Sequence, residues 1–223
     1  IASGTMNSVV AILAAVNYRR NTGKGQYIDI SMADGCIPFN SIDGANFLVS
    51  GVAPRREKER LNGGCIYDFY ETKDGEYMSV GSLEPQFWKN FCIAIEREDL
   101  IEGTVWPEDI ESVKAEIRGI FKTKSKEEWI KRFAKADACV EPVLSMEEAL
   151  LEDEHIKIRQ MVVDVEMPLN PGKRVKQLAT AIKMSECPCE YEHAGYPVGY
   201  HTMEIIEKLG LNYEDLEAKG TFK

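Results

Sequence analysis

A carboxylate at the junction of a strand and a helix is the residue of this sequence best suited to chemistry. Residues 81–88 read Gly-Ser-Leu-Glu-Pro-Gln-Phe-Trp, and proline is favoured at the first position of a helix. Glu84 is therefore predicted to lie at a helix N-terminus beside a sheet edge, where it could act as an acid or a base. The alternative is that it only complements the helix dipole, which contributes roughly 0.3 to 1 kcal/mol.

Small residues mark a second helix start near the beginning of the chain. Ser3, Gly4 and Thr5 precede an apolar helical pattern. Free backbone N–H groups at such a place can stabilise an oxyanion or an enolate. Close packing of the helix on a sheet would explain the same residues without any chemistry.

Two tyrosines and one cysteine are further candidates for chemistry. Tyr67 and Tyr70 are three residues apart in a predicted strand, so they point to opposite faces and only one of them can line a pocket. Cys139 has no histidine near it in the sequence. A Cys-His nucleophile is therefore not supported, and a buried structural thiol is predicted.

The composition disfavours several classes of partner. The 223 residues carry a formal net charge of -10 and a sequence pI near 5.0, which argues against binding to nucleic acid or to an anionic membrane. No apolar run reaches the roughly 18 residues that span a bilayer. We therefore expect a soluble protein with no membrane partner.

Metal and disulfide chemistry are not indicated either. His155, His193 and His201 lie apart in the sequence, and neither the CxxC nor the HExxH spacing occurs, so no metal site is predicted. The six cysteines are scattered apart from the pair in Cys187-Pro188-Cys189, and no signal peptide is recognisable. This pattern favours a reducing cytoplasm.

The pattern of apolar residues predicts a helix and then a strand at the beginning of the chain. Residues 5–20 repeat apolar side chains at helical spacing before Gly23, and residues 27–32 alternate with a period of two. A helix that feeds a strand is half of a βαβ unit, which implies a mostly parallel sheet. A helical stretch at 36–50, interrupted by Pro38, precedes a polar linker at 53–60.

A second group of elements follows this linker. Residues 65–72 and 76–81 are strand-like, and Asp74-Gly75 between them predicts a hairpin. Helices are predicted at 85–95 and 108–121, and the Ser125/Glu128 and Ser145/Glu148 spacings are capping boxes. Residues 195–223 are predicted to form a loop and two helices, separated by Gly210 and with Asn212 as a cap.

Taken in order, several motifs resemble the α-methylacyl-CoA racemases and the related family III CoA-transferases over nearly the whole chain. The most specific runs are Thr-Gly-Lys-Gly-Gln at 22–26 and Glu-Pro-Gln-Phe at 84–87, and the second is more similar to the racemases. The remaining motifs are Met-Ala-Asp-Gly at 32–35, and the runs at 70–75, 81–87, 137–143 and 199–210.

The resemblance implies racemisation of a 2-methylacyl-CoA, in which the α-proton leaves one face and returns on the other through an enolate. In the family a histidine and an aspartate flank that carbon, and a glutamate, here Glu84, supports them. The family aspartate immediately precedes the stretch matching residues 1–4, and the histidine lies further upstream. This chain alone is therefore expected to be inactive.

The resemblance also implies the remaining site residues and the partners. Ser3, Gly4 and Thr5 are expected to keep a share of the CoA contacts, and Tyr67 is expected to bind substrate. No cofactor is expected, because CoA is part of the acyl-CoA substrate. Two subunits of the full-length parent would form a homodimer, interlinked like rings.

An α/β fold follows from the same resemblance, with part of a Rossmann-like parallel-sheet large domain and a smaller α/β domain that contains the antiparallel hairpin. Residues 1–60 would be the C-terminal part of the large domain, 61–170 the small domain, and 171–223 a tail that returns to the large domain. Two other functions remain open: a family III CoA-transferase that moves CoA between a thioester and a free carboxylic acid, and a non-catalytic partner or structural piece.

Overall fold

A computed structural model describes residues 1–61, 63–103 and 108–222. Asn62, residues 104–107 and Lys223 fall within the predicted segments 61–170 and 171–223 and lie outside the described residues. The chain divides into two compact units, residues 1–143 and 144–223. The predicted three-part division at residues 60 and 170 stays a prediction.

Helices form most of the first fifty residues. A π-helical turn at Ala2–Met6 continues into helix α1 at Asn7–Thr22, which ends at Gly23 in the left-handed conformation (φ 75°). The predicted helix and its glycine stop are therefore confirmed. The next helical stretch is broken near Pro38, as predicted. It consists of α2 at Met32–Cys36, a 3₁₀ turn at Ile37–Asn40 and α3 at Asp43–Ser50.

The strand predicted at residues 27–32 is not formed. Residues 24–31 have no regular secondary structure. A period-two pattern becomes a strand only where a neighbouring strand supplies hydrogen bonds, and no strand among the described residues pairs with this segment. The apolar side chains of α1 do not pack into a core, since Val10 and Leu13 remain 66% and 64% exposed.

A three-stranded antiparallel sheet begins at the predicted hairpin. Strands β1 at Asp68–Glu71 and β2 at Tyr77–Val80 are joined through Gly75, whose φ of 80° suits a glycine turn. Strand β3 at Val140–Pro142 adds to the other edge of β2. This register places Val80 opposite Val140, so the chain that leaves β2 runs beside the chain that enters β3.

Three amphipathic helices form the core together with this sheet: α4 at Pro85–Ala94, α5 at Ile110–Phe121 and α6 at Lys126–Phe133. The ring of Phe121 lies 5.2 Å from that of Tyr70 and 4.8 Å from that of Trp129, between centroids. The Trp129 indole donates to the Phe121 carbonyl. The capping box at Ser125 and Glu128 is confirmed at the start of α6.

A buried ammonium group joins α5 to β1. The Lys114 side chain is 3% exposed, and its Nζ lies 2.5 Å from Asp68 Oδ2 and 3.3 Å from the Gly63 carbonyl oxygen. Arg118, one turn further along α5, lies 3.5 Å from the same carboxylate oxygen. These contacts fix the start of β1, directly after Tyr67.

The second unit contains a hairpin and short helices. Ser145 and Glu148 exchange the predicted reciprocal hydrogen bonds before a π-helical turn at Glu148–Glu152 and helix α7 at Glu154–Ile158. Strands β4 at Val162–Glu166 and β5 at Arg174–Leu178 pair antiparallel. Helices α8 at Thr202–Lys208 and α9 at Tyr213–Ala218 confirm the predicted tail, with Asn212 capping α9.

The fold class is thus a mixture of helices and small antiparallel sheets. The predicted α/β character and the antiparallel hairpin are present. Within residues 1–61, 63–103 and 108–222 every strand pairing is antiparallel, so the expected parts of a Rossmann-like parallel sheet are not seen there. A parallel strand forms only where a neighbouring strand supplies hydrogen bonds, and no described strand pairs with residues 27–32.

Candidate active-site wall

Glu84 lies at the N-terminus of α4, as the sequence predicts. Its backbone is extended (φ -77°, ψ 146°), Pro85 begins the helix, and the Glu84 carbonyl accepts from the Trp88 N–H. The Glu84 side chain does not cap the helix. Nor does the carboxylate form a hydrogen bond or ion pair with any residue that the structure describes. The carboxylate therefore remains exposed and available to an outside group.

The loop that carries Glu84 is attached to the segment before β3. The Gly81 N–H donates to the Cys139 carbonyl at 2.8 Å, and the buried Ser82 hydroxyl donates to the Ala138 carbonyl. From the second turn of α4, the Asn90 amide donates to the Asp137 carbonyl at 3.0 Å. Three hydrogen bonds therefore hold residues 81–90 against residues 137–139, which fixes the position of the Glu84 backbone.

Two residues of the supporting segment have an unusual backbone. Asp137 and Cys139 adopt positive φ angles of 47° and 50°, a left-handed conformation that costs roughly 1 to 2 kcal/mol for a non-glycine residue. Because of this turn, Ala138 and Val140 are buried while Cys139 is exposed. The prediction that Cys139 is a buried structural thiol is therefore wrong.

The Cys139 thiol lies in an acidic environment. Partial burial raises the pKa of this thiol above its usual range, and the negative charges of Glu84, Asp137 and Glu141 raise it further. A thiol with a raised pKa is a poor nucleophile near neutral pH. The Cys139 thiol is therefore poorly suited to nucleophilic attack.

Tyr67 and Tyr70 lie in different environments, as the spacing predicts. Tyr70 is fully buried, its hydroxyl donates to the Ile66 carbonyl, and burial raises its pKa. Tyr67 is 37% exposed. A Cβ added at Gly81 would lie 3.5 Å from the Tyr67 ring and 3.8 Å from the Cys139 Cβ. Tyr67 and Cys139 therefore flank the loop that leads to Glu84.

The remaining predicted contacts, Ser3, Gly4 and Thr5, belong to a separate turn. They form the π-helical turn before α1, where Gly4 lies against Met32 and the Ser3 carbonyl lies close to Gly35. The Asn7 and Ser8 side chains donate to the carbonyls of Ser3 and Gly4. The structure thus places Tyr67 against the loop that leads to Glu84 and describes no contact between the Ser3–Thr5 turn and either residue. The substrate role of the turn stays a prediction.

A surface cleft of about 550 Å³ is lined by Cys139 and the residues around it. Its charged side chains are Lys135, Asp137 and Glu141, and Cys139 lies among them. The remaining lining residues are Ile130, Phe133, Ala134, Ala138, Val140 and Pro142. Sequence reasoning missed this cleft, which includes two residues in the left-handed conformation, Asp137 and Cys139. Aspartate tolerates that conformation better than most residues, and this is the one signal that the sequence offers.

The described residues contain no group of three or more His, Cys, Asp or Glu side chains that could hold a metal ion. None of the helices formed by residues 1–61, 63–103 and 108–222 is long and apolar enough to cross a bilayer.

Comparison with known proteins decides the family. Residues 1–202 match CoA-transferase family III. The chain belongs to this family. It is 30% identical over 217 residues to alpha-methylacyl-CoA racemase from Homo sapiens, which covers 96% of this chain and 55% of that protein. It is 26% identical over 210 residues to succinyl-CoA:mesaconate CoA-transferase from Haloarcula hispanica, covering 92% and 52%. The relatives of this chain therefore include proteins with racemase names and proteins with transferase names.

The solved structures agree on the fold. A CAIB/BAIF family protein from Brucella suis matches with a TM-score of 0.70 and 21% identity, over 93% of this chain and 54% of that one. The chain spans about half the length of the curated relatives it matches. The resemblance identified from the motifs is thereby confirmed at the level of the family.

Proposed function

We propose that this chain supplies one wall of the active site of a racemase that inverts the α-carbon of 2-methylacyl-CoA thioesters. The observation that carries the proposal is the Glu84 carboxylate, which is exposed, has no described partner, and stands on a loop held by hydrogen bonds to residues 137–139. A catalytic carboxylate needs this combination of a fixed backbone and a free oxygen.

The proposed reaction needs two acid/base groups on opposite faces of one carbon. One group removes the α-proton, the electron pair moves onto the thioester oxygen as an enolate, and the other group returns a proton to the opposite face. By the family resemblance these groups are a histidine and an aspartate upstream of residues 1–4. Glu84 would accept a hydrogen bond from one of them and stabilise its protonated form.

The negative charges of Glu84, Asp137 and Glu141 favour a substrate with a neutral acyl group. Asp137 and Glu141 line the cleft that contains Cys139, whose thiol also experiences the charge of Glu84, and Lys135 is the cation among the cleft's described lining residues. A substrate that brings a second carboxylate would meet these negative charges at short range, which is unfavourable. A 2-methylacyl chain carries no such charge, whereas mesaconate, named for the Haloarcula hispanica relative, is a dicarboxylate.

Replacement of Glu84 by glutamine in the full-length protein tests this role. We expect Glu84→Gln to lower kcat for racemisation by roughly tenfold to a thousandfold, the range for one proton-transfer or supporting group. The melting temperature should not change, because the side chain has no described partner. Glu98→Gln, on the exposed turn after α4, is the matched control. Unchanged kcat in Glu84→Gln would refute the role.

A homodimer with composite sites is also part of the proposal. If Glu84 of one subunit completes the site of the other, Glu84→Gln mixed with a variant that lacks the upstream aspartate restores one working site per mixed dimer. Verified mixed dimers without restored activity would show that Glu84 serves its own subunit.

A cytoplasmic location fits the six free thiols and belongs to the same proposal.

The second candidate is CoA transfer between a thioester and a free acid. The 26% identity to succinyl-CoA:mesaconate CoA-transferase favours it, and its nucleophilic aspartate would also lie upstream. A third candidate, a non-catalytic partner or structural piece, predicts that neither reaction occurs. Assays of both reactions with the full-length protein separate the three.

A further inference from the structure

A loop of the second unit carries three sulfur-containing side chains. Residues 180–191 leave β5 and return to β4, and both ends are held. The Thr180 N–H donates to the Tyr191 hydroxyl at 2.7 Å, which closes the loop. The Ala179 N–H donates to the Met161 carbonyl, and beyond the loop the Ala194 N–H donates to the Glu166 carbonyl. The loop is therefore anchored to the hairpin on both sides.

Within this loop the sulfur side chains are Met184, Cys187 and Cys189. The Cys187 Sγ lies 3.9 Å from the Met184 Sδ. Met184 and Cys189 line the same small cleft of about 230 Å³, together with Pro188 and Tyr191. Both cysteines are free and exposed. The Met184 thioether thus lies beside the Cys187 thiol and shares a cleft with Cys189, on a loop whose ends are fixed.

The sulfur separation suits two ligands of one metal ion. Metal–sulfur bonds of about 2.3 Å at tetrahedral to trigonal angles place two sulfur ligands about 3.8 to 4.0 Å apart. Thiolate and thioether are soft ligands, which select Cu(I). A structural zinc site takes four nitrogen, sulfur or carboxylate ligands, and the described residues hold no group of three or more His, Cys, Asp or Glu that could supply them.

We propose that Met184, Cys187 and Cys189 form a binding site for one Cu(I) ion. The Cys187 and Cys189 thiols release their protons to solvent as the two copper–thiolate bonds form, and Met184 donates a lone pair. Copper keeps its oxidation state, so no oxidant or reductant is consumed. The expectation of no metal came from the missing CxxC and HExxH spacings, which are patterns of zinc sites and do not include methionine.

Anaerobic titration of the full chain with Cu(I), in competition with the chromophoric chelator bathocuproine disulfonate, tests the site. We expect one Cu(I) per chain and a thiolate-to-copper absorption band in the ultraviolet. Cys187→Ser and Cys189→Ser should each lower the affinity by about a hundredfold or more. Met184→Leu keeps the volume but loses the sulfur, and should lower affinity by about tenfold, the lower end for loss of a group that tunes a metal site.

Cys36→Ser is the matched control, because Cys36 is an exposed single cysteine of the other unit. It should bind Cu(I) as the unmodified chain does, and circular dichroism should report the same fold for all variants. The proposal is overturned if the chelator removes all copper from the unmodified chain, or if Cys187→Ser or Cys189→Ser retains full affinity. Equal affinity for Zn(II) under the same conditions would overturn the assignment to Cu(I).

Discussion

The ion pair of Lys114 and Asp68 offers a sharp test of the packing at the start of β1, next to Tyr67. Asp68→Asn keeps the side-chain shape but removes the charge that faces Lys114 Nζ at 2.5 Å. Lys114→Met instead removes the ammonium and leaves an apolar chain of similar length. Asp68 then still has Arg118 at 3.5 Å. The two variants should therefore differ in the free energy of unfolding, although each breaks the same pair.

The magnitude follows from the exposure of the two side chains. Lys114 is 3% exposed and Asp68 is 30% exposed. Removal of one partner of a buried pair costs about 3 to 5 kcal/mol, whereas an apolar replacement of a buried charge is often neutral. Because Asp68 is partly exposed, we expect about 3 kcal/mol for Asp68→Asn and about 1 kcal/mol or less for Lys114→Met. The larger loss corresponds to a fall of roughly 6 to 12 °C in Tm.

Urea unfolding at pH 7, followed by the fluorescence of the buried Trp88 and Trp129, measures both variants. Burial by itself raises the pKa of Asp68, but the hydrogen bond from Lys114 and the charges of Lys114 and Arg118 outweigh it and hold the pKa below the usual 3.8. The pair therefore stabilises the fold above about pH 4, and this contribution is lost as the pH falls through the lowered value. Asp68→Asn should lack that acid dependence. Equal losses in the two variants would refute this description of the pair.

Further variants test the site and the core. Glu84→Gln should speed alkylation of Cys139 by iodoacetamide about twofold to threefold near neutral pH, because one charge that raises the pKa of the thiol is gone. Peptide mass spectrometry measures the alkylation rate. Glu98→Gln should leave this rate unchanged. Phe121→Ala should lower the free energy of unfolding by about 3 to 5 kcal/mol, and a loss under 1 kcal/mol would contradict its central place among the stacked rings. Ser125→Ala should lower it by about 1 kcal/mol through loss of the capping box, which thermal unfolding detects.

Local sequence signals predicted much of the fold. Gly23 ends α1, Gly75 turns the hairpin, Pro85 begins α4 and Asn212 caps α9. Each of these signals acts within a few residues, so the sequence contains all that is needed to interpret it. The strand at residues 27–32 depends instead on a pairing partner, and periodicity alone does not reveal one.

The candidate site was predicted in part. The helix-start signal located Glu84, and the spacing of Tyr67 from Tyr70 separated the exposed ring from the buried one. The role of residues 137–139 could not be predicted, because it depends on positive φ angles at Asp137 and Cys139 and on hydrogen bonds to a segment about fifty residues away in the chain. Hydrogen bonds at such separation leave no local pattern.

The central claim is that the full-length protein racemises the α-carbon of a 2-methylacyl-CoA. Incubation of one enantiomer in deuterated water, followed by proton NMR and chiral analysis, tests it most directly. We predict that deuterium replaces the α-proton while the two enantiomers interconvert, without any requirement for a free carboxylic acid. Transfer of CoA to an added free acid, with the α-proton retained, would contradict the claim.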